Sequence, residues 1–232
     1  GIERYTEMHL LSKATNTTAY AKFGIQGFAG SGKTFTATKI AIGLAKLAGG
    51  APVAFLDTET GSDFVAPMFR DEGIDLFVHK SRAFADSLTV FREAIDAKCS
   101  VIIIDSVSHL WQEMMTSYQK KLRRKYGLQF QDWGALKTEW RQLTDIYVNS
   151  PIHALLLGRA GYEYDYQENE DGKKELRKVG TKMKAETEMG YEPSVLLEME
   201  RKANADQEGP RFINVATILK DRTDTMNGHE IE

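Results

Sequence analysis

The chain has 232 residues, of which 42% are hydrophobic and 27% charged, so it can form one domain with a buried core and has the composition of an ordinary soluble protein. Its net charge of −3 excludes nucleic-acid binding through overall charge, so such a site would have to be a local patch. The single cysteine, Cys99, excludes an internal disulfide and fits a reducing cytoplasm. No apolar run is long enough to cross a membrane, and the five scattered histidines argue against a zinc site.

The beginning of the chain predicts little regular structure. Residues 1–20 form an arm with a polar portion at 12–18, and this arm either covers an edge of the domain or contacts a neighbouring subunit. Residues 22–26 are then predicted to be a short strand. A helix is predicted over residues 35–48, because its apolar residues recur at helical spacing and two glycines follow it.

Between this strand and this helix, residues 27–34 fit the G-x-x-x-x-G-K-[ST] pattern of a phosphate-binding P-loop. Glycines let successive backbone N–H groups converge on phosphate oxygens, and Lys33 supplies a positive charge for the β- and γ-phosphates of ATP. The Thr34 hydroxyl can ligate Mg²⁺, and the helix directs its positive end to the same anion. The flanking strand and helix favour this interpretation over a glycine-rich turn that happens to hold a lysine. The predicted nucleotide-binding residues are Gly27, Phe28, Ala29, Gly30, Ser31, Gly32, Lys33, Thr34 and Phe35.

The rest of the chain alternates predicted strands with predicted helices. Strands are predicted at residues 52–57, 76–78, 101–104, 152–157, 194–201 and 212–220, and helices at 84–95 and within 107–150. Residues 160–190 are polar and predict a functional or mobile loop, with room for a small hairpin that turns at Asp171 and Gly172. Residues 223–232 are expected to be a frayed tail. The alternation predicts one α/β domain over residues 21–222, with a mostly parallel sheet flanked by helices and an antiparallel edge.

Two acidic residues at predicted strand ends extend the phosphate chemistry. Asp105 follows four apolar residues, which is the Walker B pattern that places a carboxylate beside bound Mg²⁺; the alternative is a helix N-cap. Many P-loop ATPases have a catalytic glutamate directly after this aspartate, where this chain has Ser106. Glu59 is therefore the candidate base, on the expectation that its strand lies beside the P-loop strand; the alternative is a solvated acidic loop.

The segments Phe-Leu-Asp-Thr-Glu at residues 55–59 and Val-Ile-Ile-Ile-Asp-Ser-Val at residues 101–107 resemble the ATPase core of RecA-type recombinases. The resemblance implies a RecA-like fold, hydrolysis of ATP with Mg²⁺ and the catalytic role for Glu59. Arg159 stands where that family has a glutamine that senses the γ-phosphate and leads into a DNA-binding loop. Lys220 and Arg222 match paired lysines that reach into a neighbouring subunit's ATP, which implies a homo-oligomer with catalytic cations supplied in trans.

By position in the RecA fold, the two loops that hold single-stranded DNA correspond to residues 117–132 and 161–190. The first combines aromatic residues with a cationic run, which suits stacked bases and phosphates; the alternative is a solvated helix end with core aromatics. The second begins with an acidic part that would repel phosphate and that would instead contact a partner protein or screen the site. The predicted DNA-binding residues are Lys120, Lys121, Arg123, Arg124, Lys125, Lys182 and Lys184, with Lys178 as a further candidate.

The resemblance is strongest to the compact RecA-like ATPases of phages and prophages, which act with single-strand DNA-binding and annealing proteins. It implies an ATPase of DNA recombination or single-strand annealing, in the cytoplasm of a bacterium or of an infected host. The first alternative is a RecA-fold regulator or motor without direct DNA binding, such as a KaiC-like or packaging-type ATPase. The second is a small-molecule phosphotransferase, which would require an arginine-rich acceptor pocket; the sequence carries no signature of a second substrate.

Overall fold

The computed structural model describes residues 10, 19–186, 189, 192–206 and 208–232. The arm predicted for residues 1–20 lies outside the described residues, apart from residues 10, 19 and 20. The helices are α1 (Lys33–Leu47), α2 (Gly61–Asp71), α3 (Phe84–Asp96), α4 (Val107–Lys121) and α5 (Phe130–Asn149). The strands are β1 (Lys22–Gly27), β2 (Val53–Asp57), β3 (Leu76–Lys80), β4 (Val101–Asp105), β5 (His153–Glu168), β6 (Lys174–Met183), β7 (Val195–Ala203), β8 (Phe212–Asp221) and β9 (Glu230–Ile231). In this described part of the chain, every helix is too short or too polar to cross a membrane.

One sheet holds the domain together, with the strand order β3-β2-β4-β5-β1-β7-β8-β9. The strands from β3 to β7 in this order are parallel, whereas β8 and β9 run antiparallel at one edge. Parallel strands that are covered on both faces are apolar throughout, which is why β4 has four aliphatic residues before its aspartate. The predicted α/β fold, with a mostly parallel sheet and an antiparallel edge, is confirmed.

Helices cover both faces of the sheet, and successive residues of β4 belong to two separate cores. Ile102 and Ile104 pack with residues of α3, α4 and α5, including Trp140. Val101 and Ile103 pack on the other face with residues of α1 and α2. All four aliphatic side chains are fully buried, so a shift of β4 by one residue would draw the carboxylate that follows them into an apolar interior. This cost fixes the position of the strand end on which the active site depends.

The strand order corrects one expectation, because β2, which leads to Glu59, does not lie beside the P-loop strand β1. It pairs with β3 and β4, and both β4 and β5 stand between it and β1. The reason is that the buried first part of β5 forms ladders at both of its edges, with β4 on one side and β1 on the other. Since these strands are parallel, the residues that follow β2 nevertheless reach the same edge of the sheet as the P-loop.

Within residues 160–190, expected to be mainly a functional or mobile loop, residues 160–168 and 174–183 are regular strand. β5 continues to Glu168 and pairs with β6 in an antiparallel hairpin. At its turn, Gly172 has a φ of +72°, and the Asn169 side chain accepts hydrogen bonds from the N–H groups of Asp171 and Lys173. The turn at Asp171 and Gly172 agrees with the prediction. The hairpin is much longer than predicted, because tyrosines alternate with acidic residues at the period of a strand.

The segment after β8 folds back on the sheet, in place of the frayed tail expected for residues 223–232. The Asp221 carboxylate accepts hydrogen bonds from the backbone and hydroxyl groups of Thr223 and Thr225 and from the N–H group of Met226. These bonds, led by those from Thr223, lower the pKa of Asp221 to about 2. The resulting turn returns the chain so that β9 pairs with β8.

The first residue of β1, Lys22, ties the sheet to the turn before β5. Its side chain is buried, and its ammonium group donates to the carbonyl oxygens of Ser150 and Ile152 at 2.7 and 2.6 Å. Burial removes water from the charged amine and lowers the pKa of Lys22 to about 8. The fold therefore holds a lysine that loses its proton well below the pH at which an exposed lysine does.

This lysine gives the stability of the protein a pH dependence. Between about pH 8 and pH 10 the folded chain releases the Lys22 proton, while the unfolded chain, with a lysine pKa near 10.5, retains it. The unfolded state then binds more protons, so the free energy of unfolding rises with pH by about 2 kcal/mol from this group. Urea denaturation should show this rise in the unmodified protein relative to Lys22→Met. Parallel pH profiles of the two proteins would contradict the expected shift.

Candidate active site

The P-loop connects the end of β1 to the start of α1, and its geometry requires glycines. Gly30 and Gly32 have φ values of +76° and +91°, in the left-handed region that residues with a Cβ rarely adopt. A Cβ on Gly27 would lie 2.4 Å from Ser31 Oγ and 2.6 Å from the carbonyl oxygen of Met199. The shape of the loop therefore depends on Gly27 and Gly32, which the motif specifies, and also on Gly30, which it does not.

Lys33, the first residue of α1, folds its side chain back along the P-loop. Its Nζ donates to the carbonyl oxygens of Gly27 and Phe28 at 2.9 and 3.1 Å. Burial lowers the pKa of Lys33, and the charge of Asp105 opposes this shift. The ammonium group thus lies at the mouth of the loop, where it can meet phosphates held by the backbone N–H groups.

The predicted metal ligands are in direct contact. The Thr34 hydroxyl donates a hydrogen bond of 2.6 Å to Asp105 Oδ2, which joins the start of α1 to the end of β4. Burial raises the pKa of Asp105, and the Thr34 hydrogen bond and the Lys33 charge oppose this rise. Both side chains offer oxygen ligands, which Mg²⁺ prefers, so the pair fits this metal. A Cβ on Gly61 would lie 3.3 Å from Thr34 Cγ2 and 3.4 Å from Asp105 Oδ2, so the glycine keeps the space beside the pair open.

A cavity of about 540 Å³ opens over these groups, a volume typical of small-molecule binding sites. Helix α2 gives it an apolar wall of Phe64, Val65 and Met68, which no sequence motif marked. The predicted site residues that line the cavity are Ala29, Gly30, Gly32, Lys33, Thr34, Phe35, Glu59, Asp105 and Arg159. The other predicted nucleotide-binding residues shape the loop from outside the lining, and they are Gly27, Phe28 and Ser31.

Glu59 enters the cavity from the turn between β2 and α2. The buried carboxylate of Asp57 fixes this turn, since it accepts hydrogen bonds of 2.9 Å from the N–H groups of Glu59 and Ser62 and another from the Ser62 hydroxyl. Arg159 Nη2 contacts Glu59 Oε1, so two residues predicted from separate segments meet at the cavity. His109 Nε2 also lies 3.2 Å from Glu59 Oε1, although no motif indicated this histidine.

Lys220 and Arg222 lie near the start of β1, at the opposite end of the strands from the P-loop. Asp221, between them, pairs with Val195 of β7, which in turn pairs with Phe23 near the start of β1. Burial, and then the charge of Arg222, lower the pKa of Lys220. The fold therefore keeps both cations away from the cavity of their own chain. Their role in a neighbouring subunit's site stays a prediction.

The predicted cationic run lies mostly at a helix end. Lys120 and Lys121 occupy the last turn of α4, and Arg123 follows with a φ of +52°. Arg124 donates hydrogen bonds of 2.9 and 3.0 Å to the buried Asp132 of α5, so its guanidinium anchors the turn between the two helices. The other cations of the run, which include Lys125, are exposed.

The lysines predicted to bind DNA from the second segment differ in their surroundings. Lys182 Nζ lies 3.9 Å from a carboxylate oxygen of Glu163. The Lys184 stem packs against the backbone at Gly161, where an added Cβ would lie 2.8 Å from Lys184 Cε. Lys178 Nζ lies 3.7 Å from the centre of the Tyr162 ring, on the aromatic face of the hairpin.

A phosphate-binding loop, a hydroxyl–carboxylate pair suited to Mg²⁺ and a parallel sheet define a P-loop nucleoside triphosphatase domain. The sequence matches a family of AAA domains (AAA_24) over residues 19–226, and the chain belongs to this family. A KaiC-like protein from the hyperthermophilic archaeon Pyrococcus horikoshii has a similar fold, with a TM-score of 0.54 and 14% sequence identity over 90% of this chain and 82% of that one. A comparison with curated proteins gave no match. The protein is therefore an AAA domain with a P-loop, and its fold is of the RecA/KaiC-like kind.

Gly61→Ala tests the metal role of Thr34 and Asp105. The added methyl group would lie tightly against Thr34 and in contact with Asp105, so the Mg²⁺ concentration needed for half-maximal ATP binding should rise by roughly tenfold. A Mg²⁺ titration with a fluorescent ATP analogue measures this, and the affinity for metal-free nucleotide should change little. Gly43→Ala is the matched control, because its Cβ would meet nothing within 4 Å on α1. An unchanged Mg²⁺ requirement in Gly61→Ala would show that the metal binds elsewhere.

Proposed function

We propose that the protein hydrolyses ATP in a Mg²⁺-dependent reaction with Glu59 as the general base. The observation that carries this proposal is that Glu59 lines the same cavity as Lys33, Thr34 and Asp105, although it follows a different strand. The P-loop N–H groups and Lys33 hold the phosphates, and Glu59 accepts a proton from the attacking water. Thr34 and Asp105 would hold Mg²⁺, which when bound neutralises charge on the phosphate oxygens.

Arg159 has a proposed role in this reaction as the residue that senses the γ-phosphate. Its half-exposed guanidinium contacts Glu59, lines the cavity and lies close enough for its charge to act on Lys33. A guanidinium group can donate several hydrogen bonds to phosphate oxygens. Arg159 therefore suits the position of the phosphate-sensing glutamine in RecA-type proteins, and it exchanges its contact with Glu59 for the γ-phosphate when ATP binds.

Glu59→Gln tests the base directly. The amide keeps the size of the side chain but cannot accept a proton, so hydrolysis should fall by about 10²- to 10⁴-fold while ATP binding is retained. Phosphate release and equilibrium nucleotide binding are measured on the same preparation. Glu72→Gln, at an exposed ion pair with Lys46, is the control that should keep full activity. Retained hydrolysis in Glu59→Gln would overturn the assignment.

We further propose that the hairpin of β5 and β6 binds single-stranded DNA through a tyrosine face. This face consists of Tyr162, Tyr164 and Tyr166, which alternate with Glu163 and Asp165 along β5. Alternate residues of a strand point to opposite faces, so the acidic residues lie on the other side of the hairpin from the exposed tyrosine rings. The acidic residues that argued against DNA binding by this segment therefore lie away from the surface on which bases would stack.

A cation, Lys178, accompanies the tyrosine face, as single-strand binding requires. Lys178 pairs across the hairpin with Tyr164 and lies over the ring of Tyr162. Aromatic rings stack on bases, and neighbouring cations hold the phosphates between them. In the turn after α4 and at the start of α5, Tyr126 and Phe130 are 100% and 94% exposed near the cationic run, so a second surface of the same composition is available.

The tyrosine face is joined to the nucleotide site. Phe28 of the P-loop packs against Tyr162 with 5.0 Å between ring centres, and Arg159 precedes Tyr162 on the same strand. A change at the phosphates can therefore reach the base of the hairpin through two contacts. This link favours an ATPase whose cycle acts on DNA, in recombination or single-strand annealing, with a single-strand DNA-binding or annealing protein as partner. In a homo-oligomer, Lys220 and Arg222 would complete the site of a neighbour.

The alternative is a regulatory or motor ATPase without direct DNA binding. The fold similarity to a KaiC-like protein favours it as much as it favours a recombination protein. In that case the tyrosine face would contact protein, and the net charge of −3 would oppose nucleic acid. Direct measurement of DNA binding separates the two functions.

Substitution of Tyr164 and Tyr166 by alanine tests the DNA proposal. Loss of two stacking rings should weaken the affinity for a single-stranded oligonucleotide by about 10- to 100-fold, whereas phenylalanine at both positions should retain it. Fluorescence anisotropy at two salt concentrations measures the affinity. Neutralising Lys120, Lys121 and Arg123 in the same assay should reduce the salt dependence.

The control for this series is the double variant Glu163→Gln and Asp165→Asn, which changes the opposite face of the hairpin and should not weaken binding. Equal affinities of the alanine and phenylalanine variants would exclude the tyrosine face as the DNA site. Failure of the unmodified protein to bind the oligonucleotide at any salt concentration would favour the regulatory alternative.

A further inference from the structure

His109 lies where the end of β4 meets the turn between β2 and α2. It is in the first turn of α4, directly after the end of β4, and is only 6% exposed. The Ser106 side chain caps this helix by accepting a hydrogen bond from the His109 N–H group. The backbone of His109 is therefore held by a hydrogen bond and its side chain by burial, beside the strand end that carries Asp105.

The ring forms a chain of contacts from β4 to Glu59. His109 Nδ1 lies 2.7 Å from Thr58 Oγ1, and Nε2 lies 3.2 Å from Glu59 Oε1. Thr58 Oγ1 in turn accepts a hydrogen bond of 2.8 Å from the Ser106 N–H group and lies 3.0 Å from the carbonyl oxygen of Asp105. One histidine thus connects the backbone after the metal carboxylate to the side chain of the base.

The contacts favour one tautomer of the ring. A carboxylate oxygen can only accept, so the 3.2 Å approach of Nε2 to Glu59 Oε1 favours hydrogen on Nε2. The Thr58 hydroxyl has one hydrogen and two acceptors, Nδ1 at 2.7 Å and the Asp105 carbonyl oxygen at 3.0 Å, and hydrogen on Nε2 directs it to Nδ1. Burial, and then the charges of Arg82 and Arg159, lower the pKa of His109, which favours this neutral form. A neutral donor orients the carboxylate of Glu59 without adding a full positive charge beside it.

The two contacts of Glu59 in the described structure both end on Oε1. One comes from the buried His109 and the other from Arg159, whose side chain is half exposed. Among the described residues, Oε2 makes no hydrogen bond, so it is the oxygen that can accept a proton from water. Arg159 is able to move to a phosphate, whereas the packed imidazole is not, so the lasting restraint on Glu59 comes from the histidine.

We infer that His109 is a positioning residue, which holds Glu59 through an Nε2–H donor and sets the base at a fixed place relative to Asp105. The inference rests on the proposed function of Glu59 as the general base. Without the donor, Glu59 would keep only the Arg159 contact and would adopt several rotamers. The rate of the chemical step would fall, because a base displaced by about 1 Å can lose up to 10²-fold in rate. Nucleotide binding would not change, since the P-loop does not use this histidine.

Two substitutions separate the roles of the two ring nitrogens. The side-chain nitrogen of His109→Gln can occupy the position of Nε2 and donate to Glu59, whereas that of His109→Asn reaches only the position of Nδ1. We expect His109→Asn to lower kcat for ATP hydrolysis by about 10- to 100-fold and His109→Gln by less than about fivefold. KM and the dissociation constant of Mg²⁺–ATP should stay unchanged in both. His79→Asn, at an exposed contact with Asp86, is the histidine control and should keep full activity.

The outcomes distinguish this inference from the proposed function. If Glu59→Gln is inactive but His109→Asn keeps the kcat of the unmodified protein, the positioning role of His109 is wrong and the assignment of Glu59 as the base stands. Equal losses in the glutamine and asparagine variants would also overturn it, because a merely structural histidine would be replaced equally badly by both. If Glu59→Gln retains hydrolysis, the proposed base itself fails.

A measurement on the unmodified protein covers the case in which neither variant folds. Long-range ¹H–¹⁵N NMR of the histidine side chains reports which ring nitrogen carries the proton. The neutral form of His109 with hydrogen on Nε2 is expected at neutral pH. Hydrogen on Nδ1 would remove the donor to Glu59 and overturn the inference.

Discussion

The active site depends on the register in which the parallel strands of the sheet end. Asp57 at the end of β2 pairs with Asp105 at the end of β4, and Gly27 at the end of β1 pairs with Arg159 of β5. Each functional side chain lies on one of these ends or within a few residues of it. The apolar strands behind them are buried on both faces, so a change of register would place carboxylates in the core. Packing in the sheet therefore sets distances between groups that are far apart in the chain.

Charge is concentrated at this edge and is balanced locally. Burial lowers the pKa of Lys33 and raises that of Asp105, and the charge of each opposes the shift of the other. Asp57 is satisfied by two backbone N–H groups and a hydroxyl, and it shapes the turn that presents Glu59. Glu59 itself meets a histidine and an arginine. Polar groups of the turns thus hold the ionisable groups in place before any ligand contributes.

Local pattern was sufficient to predict the P-loop, the apolar strands and the acidic strand ends, because each depends on residues close together in the sequence. It failed where the pairing of strands decides which residues lie close together. The position of β2 away from β1 follows from ladders on both edges of β5. Helix α2 was not predicted, since Pro67 interrupts its pattern, and with it the apolar wall of the cavity was missed. His109 carried no motif, because its role arises from the end of β2, which only the fold brings beside it. The length of the hairpin was readable from the alternation of tyrosines, but the polar composition suggested a loop.

The hairpin and the nucleotide cavity share strand β5, so DNA binding and ATP hydrolysis are expected to be coupled. The most direct test is the rate of phosphate release from Mg²⁺–ATP by this chain, with and without a single-stranded oligonucleotide and with no other phosphate acceptor. The predicted result is hydrolysis without an acceptor that becomes faster when the oligonucleotide is present, since Tyr162 contacts the P-loop through Phe28. Absence of phosphate release under both conditions would contradict the hydrolytic site, and a rate indifferent to DNA would contradict the link between the cavity and the hairpin.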